Sequence, residues 1–423
     1  MNFKKKKLPN GLKIIFVPTK GYPSATAMVL VKTGSNYEKK SENGLSHFLE
    51  HMVFKGTTKR PSIRQISQEL DSIGAYTNAF TSNELTAYFA KADKRYFKKI
   101  LDVVSDMYLD PLLPAPELEK ERGVILQEIS MYEDLPQRKV GEILVRLLYG
   151  EVPAGRPVIG PRENIKRFTR KDFINYRKKH YVAEKTVVIV AGDLNERQIF
   201  SEVEKLFSKI PRGKVISKDK VKESQKKPTL AILKKKTDQT HMIFAFRSVS
   251  AGDKRVPALD LLSAVLGRGM SSRLWQKMRE DLGACYYVRA VHYTYTDHGV
   301  FIIPIGIEAK RSEEVIRAVL DECKRLALEK ISEEELTKAK EYILGQMYMG
   351  LETSDSLAEF YAEDEVTTGR LQTPQDKEKA IRKLTSEDIR RVAKGIFQNN
   401  NLNLAIVGDI KGEKKIKSAL RFE

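Results

Sequence analysis

Cysteine is almost missing from this chain: Cys285 and Cys323 are the only two in 423 residues. That rules out a disulfide framework and fits a reducing compartment. Neither sits in a redox or metal motif, so each reads as a buried apolar residue. A long apolar run is also missing. Nowhere do 18 apolar residues follow one another, which excludes a membrane-spanning helix. The basic start, Lys4 to Lys7, imitates the opening of a signal peptide. The apolar piece after it, Ile14 to Val17, is too short for such a segment, and Pro18 ends it. The expectation is a cytoplasmic protein without a membrane partner. Basic helices interleaved with aromatics are absent too. The net charge of +19 therefore reads as a solvated surface rather than a nucleic-acid footprint.

What is present is length and repetition. At 423 residues the chain exceeds one ordinary core, so at least two domains are expected. The stretch Phe168 to Leu194 superimposes on Leu384 to Ile410 at a constant offset of 216 residues. Each reads as a capped helix, a turn and a buried strand ending in Gly-Asp. Glu117 to Glu128 matches Glu335 to Gln346 at an offset of 218, and Thr86 to Leu101 resembles Gly299 to Ile316. Two copies of one unit follow, with strands and helices alternating so that a sheet is backed by helices. Residues 214–228, rich in Lys, Ser and Glu and lacking apolar periodicity, read as the join. Chemistry kept in one copy and lost from the other is then a functional signal.

The sharpest motif is His47-Phe48-Leu49-Glu50-His51. On a helix, Leu45, Phe48, Leu49 and Met52 form an apolar stripe, and His47, Glu50 and His51 gather opposite it. Gly56 is a natural stop. Histidines four apart have Cβ atoms roughly 5–6 Å from each other, close enough for both rings to reach one tetrahedral zinc. Glu50 lies one turn from His47, where a carboxylate can take a proton from water without binding the metal. In the second copy the aligned positions are Ala264, Gly267 and Arg268. Two histidines sharing a helix by chance is the weaker reading.

A catalytic zinc needs a third protein ligand. Glu128 is the candidate, with Glu121 nearly two turns before it on the same helix. The second copy has Ala339 and Gln346 there. On the residues alone, a pair of solvated glutamates competes closely with this reading.

These residues resemble the M16 metallopeptidase family, the group of insulysin, pitrilysin and the mitochondrial processing peptidase. The likeness covers nearly the whole chain and is nearest the short bacterial, processing-peptidase-β-like type. Glu128 stands 77 residues after His51, where the family places its ligand glutamate. The resemblance implies ligands His47, His51 and Glu128 for one zinc per chain, Glu50 as base, and Glu121 as support for the ligands. It implies an α+β chain of two homologous tandem domains, each a mainly antiparallel sheet backed by helices. Residues 1–213 would be the zinc-binding catalytic domain, 214–228 the linker, and 229–423 the homologous domain without a metal.

Two further stretches match. Gly74 to Thr81 is similar to the family's edge strand, which would make Asn78 and Ala79 peptide-binding groups by strand addition; an ordinary edge strand is the competing reading. Arg279-Glu280 to Gly283 and Tyr286 resembles the segment whose Arg and Tyr hold substrate and oxyanion. Tyr287 competes with Tyr286, and an Arg279 ion pair with a core tyrosine is the plain alternative. The acidic run Glu359 to Glu365 reads as solvated. Having both the zinc motif and the Arg/Tyr pair, the chain is expected to be a homodimer with Arg279 and Tyr286 supplied in trans. A closed chamber would then admit small unfolded polypeptides as substrates. The implied activity is that of a zinc-dependent endopeptidase. The alternative is a noncatalytic chamber or assembly subunit of the same fold.

Overall fold

The computed structural model describes residues 2–422. Its twelve strands form two six-stranded sheets. The first uses β1 (Lys4–Lys7), β2 (Lys13–Pro18), β3 (Ser24–Val31), β4 (Tyr76–Thr81), β5 (Thr86–Asp93) and β6 (Thr186–Gly192), in the order β1-β2-β6-β3-β5-β4. The second uses β7 (Thr229–Lys234), β8 (Thr240–Ser248), β9 (Cys285–Val288), β10 (Val291–Thr294), β11 (Gly299–Ile307) and β12 (Leu402–Gly408), in the order β10-β11-β8-β12-β7, with β9 also on β11. All pairs are antiparallel except β2 with β6 and β7 with β12. The repeat expected from the sequence is thus a repeat of topology: β2, β6, β3 and β5 neighbour one another as β7, β12, β8 and β11 do.

The central strands explain the layering. Every residue of β6 and of β12 is buried, as strands rich in Val and Ile require when helices cover both sheet faces. Those covers come from unexpected places. One compact unit comprises Met1–Ser130, Arg156–Asp219 and Met349–Thr373; the other comprises Met131–Gly155, Lys220–Tyr348 and Pro374–Glu423. The sequence divides the chain into consecutive halves at 214–228, but contacts divide it with an exchange. Helix Pro136–Tyr149, from the first half, packs on β8 and β12 of the second unit. Its Val140, Leu144 and Leu148 meet Ile243, Ala245, Ala405 and Val407. Helix Ser354–Thr367, which occupies the same place in the second copy, packs on β3 and β6 of the first. Each has the apolar period of a sheet-covering helix, and that period does not specify which sheet.

Of the acidic run 359–365, Glu359 and Glu363 are exposed as expected, but the exchange buries Asp364 and Glu365. The carboxylate of Glu365 has no exposed surface and takes Lys5, Lys13 and Lys32 at 3.0, 2.5 and 2.6 Å. Lys5 on β1, Lys13 on β2 and Lys32 just past the end of β3 converge there. Both cysteines are free and buried. Among the described residues no helix is long and apolar enough to cross a membrane.

Candidate metal centre

The motif helix runs Leu45–Val53 and buries Leu45, Phe48, Leu49 and Met52, the stripe expected of it. Phe48 meets Phe173 edge-on, with ring centroids 5.0 Å apart. The helix begins abruptly at Gly44, whose φ of 102° is left-handed, and a Cβ there would sit 2.8 Å from the Ile159 carbonyl oxygen. Only glycine fits. Glu38 completes this start. Its buried carboxylate accepts the backbone N–H of Gly44 at 2.8 Å and of Ser46 at 2.6 Å, and the Asn43 amide at 3.1 Å. A negative charge at a helix N-terminus is favourable, but burial still pushes the Glu38 carboxyl up to about 7. Behind it, the Ser46 and Tyr176 hydroxyls lie 2.6 Å apart.

On the exposed side of the helix, His47 and His51 stack edge-to-face with centroids 4.8 Å apart. Glu128 comes from helix Ala115–Asp134, and its Oε2 lies 3.7 Å from His47 Nε2 and 3.9 Å from His51 Nε2. One ligand atom from each of the three residues fits within 4.8 Å of the others, and among the described residues this is the one such group of His, Cys, Asp or Glu. Tetrahedral zinc with bonds near 2 Å separates its ligand atoms by about 3.4 Å. The two Glu128 contacts are therefore 0.3 and 0.5 Å wider than in a loaded site, all three ligand atoms lie within 4.8 Å of one another, and the donor set is the right one. Desolvation by burial, followed by the neighbouring His51, holds the His47 ring down at about 4, with Glu128 opposing. His47 is therefore neutral at ordinary pH, and a neutral ring is what binds metal.

One side chain touches the trio directly and two others brace its neighbours. Glu121 Oε2 lies 3.0 Å from His51 Nδ1, the carboxylate–histidine arrangement that orients a metal ligand. Lys55 Nζ holds the other oxygen of Glu121 at 2.5 Å. Thr81, the last residue of β4, donates its hydroxyl to Glu50 Oε2 at 2.5 Å. Burial raises the Glu50 carboxyl, while the Thr81 hydrogen bond and His51 oppose that rise. His47 Nδ1 is buried with no hydrogen-bond partner. The sequence pattern places Thr81 only at the end of an edge strand and does not single out Lys55, Glu38 or Tyr176. Lys55 lies in the turn just past the helix end at Val53, so helical spacing alone does not place it at the site. Thr81 and Glu38 reach the site through the tertiary fold.

The remaining expected residues lie elsewhere. Asn78 and Ala79 are on β4, which is the sheet edge. Ala79 N–H points to the Asn78 side-chain oxygen at 2.9 Å. The opposite edge, β1, is Lys4–Lys7, a charged edge that discourages pairing; β4 has no charged residue. Arg279 and Tyr286 belong to the second unit. Arg279 is exposed and donates to the Cys285 carbonyl at 2.9 Å. Tyr286 is 53% exposed. Tyr287 is turned inward, with its hydroxyl 3.0 Å from His241 Nδ1, and burial pushes it up to about 12.

Residues 13–162 match the family described as insulinase (peptidase family M16), and residues 167–343 match the peptidase M16 inactive domain. The second match falls where Ala264, Gly267 and Arg268 replace the motif. The chain is 33% identical over 389 residues to an uncharacterized zinc protease of Bacillus subtilis, covering 92% of this chain and 94% of that one. It is 32% identical over 414 residues to one of Rickettsia felis, covering 97% and 99%. Its fold is shared with a protease from Helicobacter pylori, at a TM-score of 0.89 and 24% identity over 96% of this chain and 99% of that one. A Pseudomonas fluorescens structure described as a peptidase M16 inactive domain gives a TM-score of 0.90 at 18% identity, over 97% and 99%.

Proposed function

The chain belongs to the M16 peptidase family, and on that premise we propose that it is a zinc-dependent endopeptidase acting on peptides or small unfolded polypeptides. The observation that carries this reading is the convergence of His47, His51 and Glu128 within 4.8 Å, with the Glu50 carboxylate one turn away. His47, His51 and Glu128 would hold the zinc. When bound there, zinc would supply Lewis-acid polarisation of a water and of the scissile carbonyl.

The protein's own groups do the rest. A peptide adds to the uncharged edge of β4, with backbone pairing at Ala79 and a side-chain hydrogen bond from Asn78. Glu50, aimed by Thr81, takes the proton of the attacking water and returns one to the leaving amine. Its raised carboxyl suits a base that must become an acid in the same cycle. Arg279 and Tyr286 are donors matched to the oxyanion. We assign them to the site of a second copy in a homodimer whose closed chamber excludes folded proteins. Their exposure favours such use.

The test is cleavage of a mixed peptide library by the purified protein, with and without a zinc chelator, followed by zinc restoration. Cleavage abolished by chelation and restored by zinc is expected. Cleavage indifferent to the chelator, or none by zinc-loaded protein, would overturn the reading.

A further inference from the structure

The second unit has a place corresponding to the metal centre of the first, and it is not filled in. In the first unit, the site residues come from the motif helix, strand β4 and helix Ala115–Asp134. Their counterparts are helix Val256–Gly267, the β9–β10 pair on β11, and helix Glu333–Met349. Between those elements lies an open pocket of about 340 Å³, within the size range of ligand sites. Trp275, Val288, Val291, Met270 and Tyr342 line it, and Arg268 and Arg289 stand with them.

Backbone fixes this pocket. Ala290 donates its N–H to the Gly267 carbonyl at 3.1 Å. Gly269 has a φ of 81°, and a Cβ on it would lie 3.0 Å from the Tyr342 ring, so the loop rests directly on that ring. Met270 is 72% exposed, an apolar side chain left at the mouth. Arg268 occupies the position aligned with His51. Neither it nor Arg289 has an ion pair or side-chain hydrogen bond to protein among the described residues. The divalent-cation site of one copy is thus replaced in the other by guanidinium groups beside apolar walls. A guanidinium fork matches a carboxylate, and the walls match an aliphatic or aromatic side chain.

We propose that this pocket binds the C-terminal residue of a peptide, its apolar side chain against Trp275 and Tyr342 and its free α-carboxylate on Arg268 and Arg289. The choice of a peptide over another apolar acid rests on the peptidase reading; the charge and shape argument does not. Such a site would anchor a chain end away from the scissile bond and favour substrates or products with free, apolar C-termini.

Trp275 is the one tryptophan of the chain, so its emission reports on the pocket directly. The experiment titrates the Glu50→Gln variant, which avoids hydrolysis, with N-acetyl-Ala-Ala-Leu as free acid, with the same peptide as C-terminal amide, and with octanoate. The acid should shift Trp275 emission and bind roughly tenfold tighter than the amide, the worth of a charge-assisted hydrogen bond. Arg268→Ala and Arg289→Ala should each remove most of that difference. If Arg268→Ala alters the ligand-free emission, the exposed Arg289→Ala carries the test. Equal binding of acid and amide, or an unmoved emission, overturns the site. Octanoate binding tighter than the peptide acid overturns its assignment to peptides. Failure of library cleavage by the wild type would sink the peptidase reading and leave these titrations standing.

Discussion

The carboxylate of Glu38 receives the backbone N–H of Ser46 at 2.6 Å, one residue before His47. The same group receives Gly44 N–H, so one buried carboxyl fixes the first turn of the helix that carries the metal motif. Glu38→Ala would leave two buried N–H groups unpaired, at about 1–3 kcal/mol each. A loss of several kcal/mol in chemical denaturation is expected, with weaker zinc retention during dialysis.

Glu38 also gives the protein a distinctive pH response. Its carboxyl is raised from 4.5 to about 7 in the folded chain. A raised carboxyl binds its proton better folded than unfolded. Its stabilisation is therefore complete below about pH 4.5 and lost as pH rises through 7. The swing is on the order of 3 kcal/mol. Glu38→Gln keeps an acceptor and removes the titration. Denaturant midpoints of wild type should fall from pH 5 to pH 8 more steeply than those of Glu38→Gln; parallel curves would refute this.

Glu365 responds in the opposite sense. Lysines 13, 32 and 5 hold it at about 2 against the rise caused by burial. Its stabilisation is present above about pH 4.5 and is lost only as pH falls toward 2, so it adds no slope between pH 5 and 8. Glu365→Gln strands three ammonium groups around a neutral amide. Removing one partner of a buried ion pair costs about 3–5 kcal/mol, and the partly exposed lysines place this case at the lower end. Urea unfolding at pH 7 reads it out.

These two glutamates mark where the sequence stops being legible. The helix 45–53 announced itself through the spacing of Leu45, Phe48, Leu49 and Met52, and the doubled topology through the Gly-Asp strand ends at 192 and 408. Both are periodic, local signals. Glu38 is separated from Ser46 by an irregular turn, and no pattern connects them. Thr81 meets Glu50 only because β4 is carried to the sheet edge beside the motif helix. Helix Pro136–Tyr149 buries Val140, Leu144 and Leu148, and helix Ser354–Thr367 buries Leu357, Ala358, Tyr361, Ala362 and Val366; neither set of residues names the sheet it covers. Glu128 was legible as a candidate because Gln346 replaces it in the second copy, but its approach to the two rings is a property of the fold.

Thr81 offers a kinetic test of positioning. Thr81→Val keeps the shape and removes the donor to Glu50; Thr81→Ser keeps the donor. With peptide substrate, Val should lower kcat by roughly 10- to 100-fold with little change in KM, no more than the lower end of what a general base contributes, and Ser should restore most of it. Equal losses in both variants would assign Thr81 to strand packing instead.

Glu121 and Lys55 should act on metal affinity. Glu121→Gln leaves His51 Nδ1 beside a neutral amide, and Lys55→Met frees the carboxylate that Lys55 anchors. Loss of a group supporting a metal ligand typically weakens binding about 10- to 100-fold. Competition with a chromogenic zinc chelator should show that loss for Glu121→Gln and a smaller one for Lys55→Met.

The last prediction separates holding the metal from using it. Glu128 lies within 4 Å of both imidazoles; Glu50 is engaged by Thr81. Glu50→Gln should retain one zinc per chain by atomic absorption and lose peptide cleavage. Glu128→Gln should lose both, because two neutral rings and an amide form a poor site for a divalent ion. His47→Ala should behave like Glu128→Gln. If Glu50→Gln cleaved normally, the base would have to be another group. If Glu128→Gln kept full zinc, the third ligand would lie elsewhere, and the approach of residue 128 to the two rings would be only an electrostatic contact.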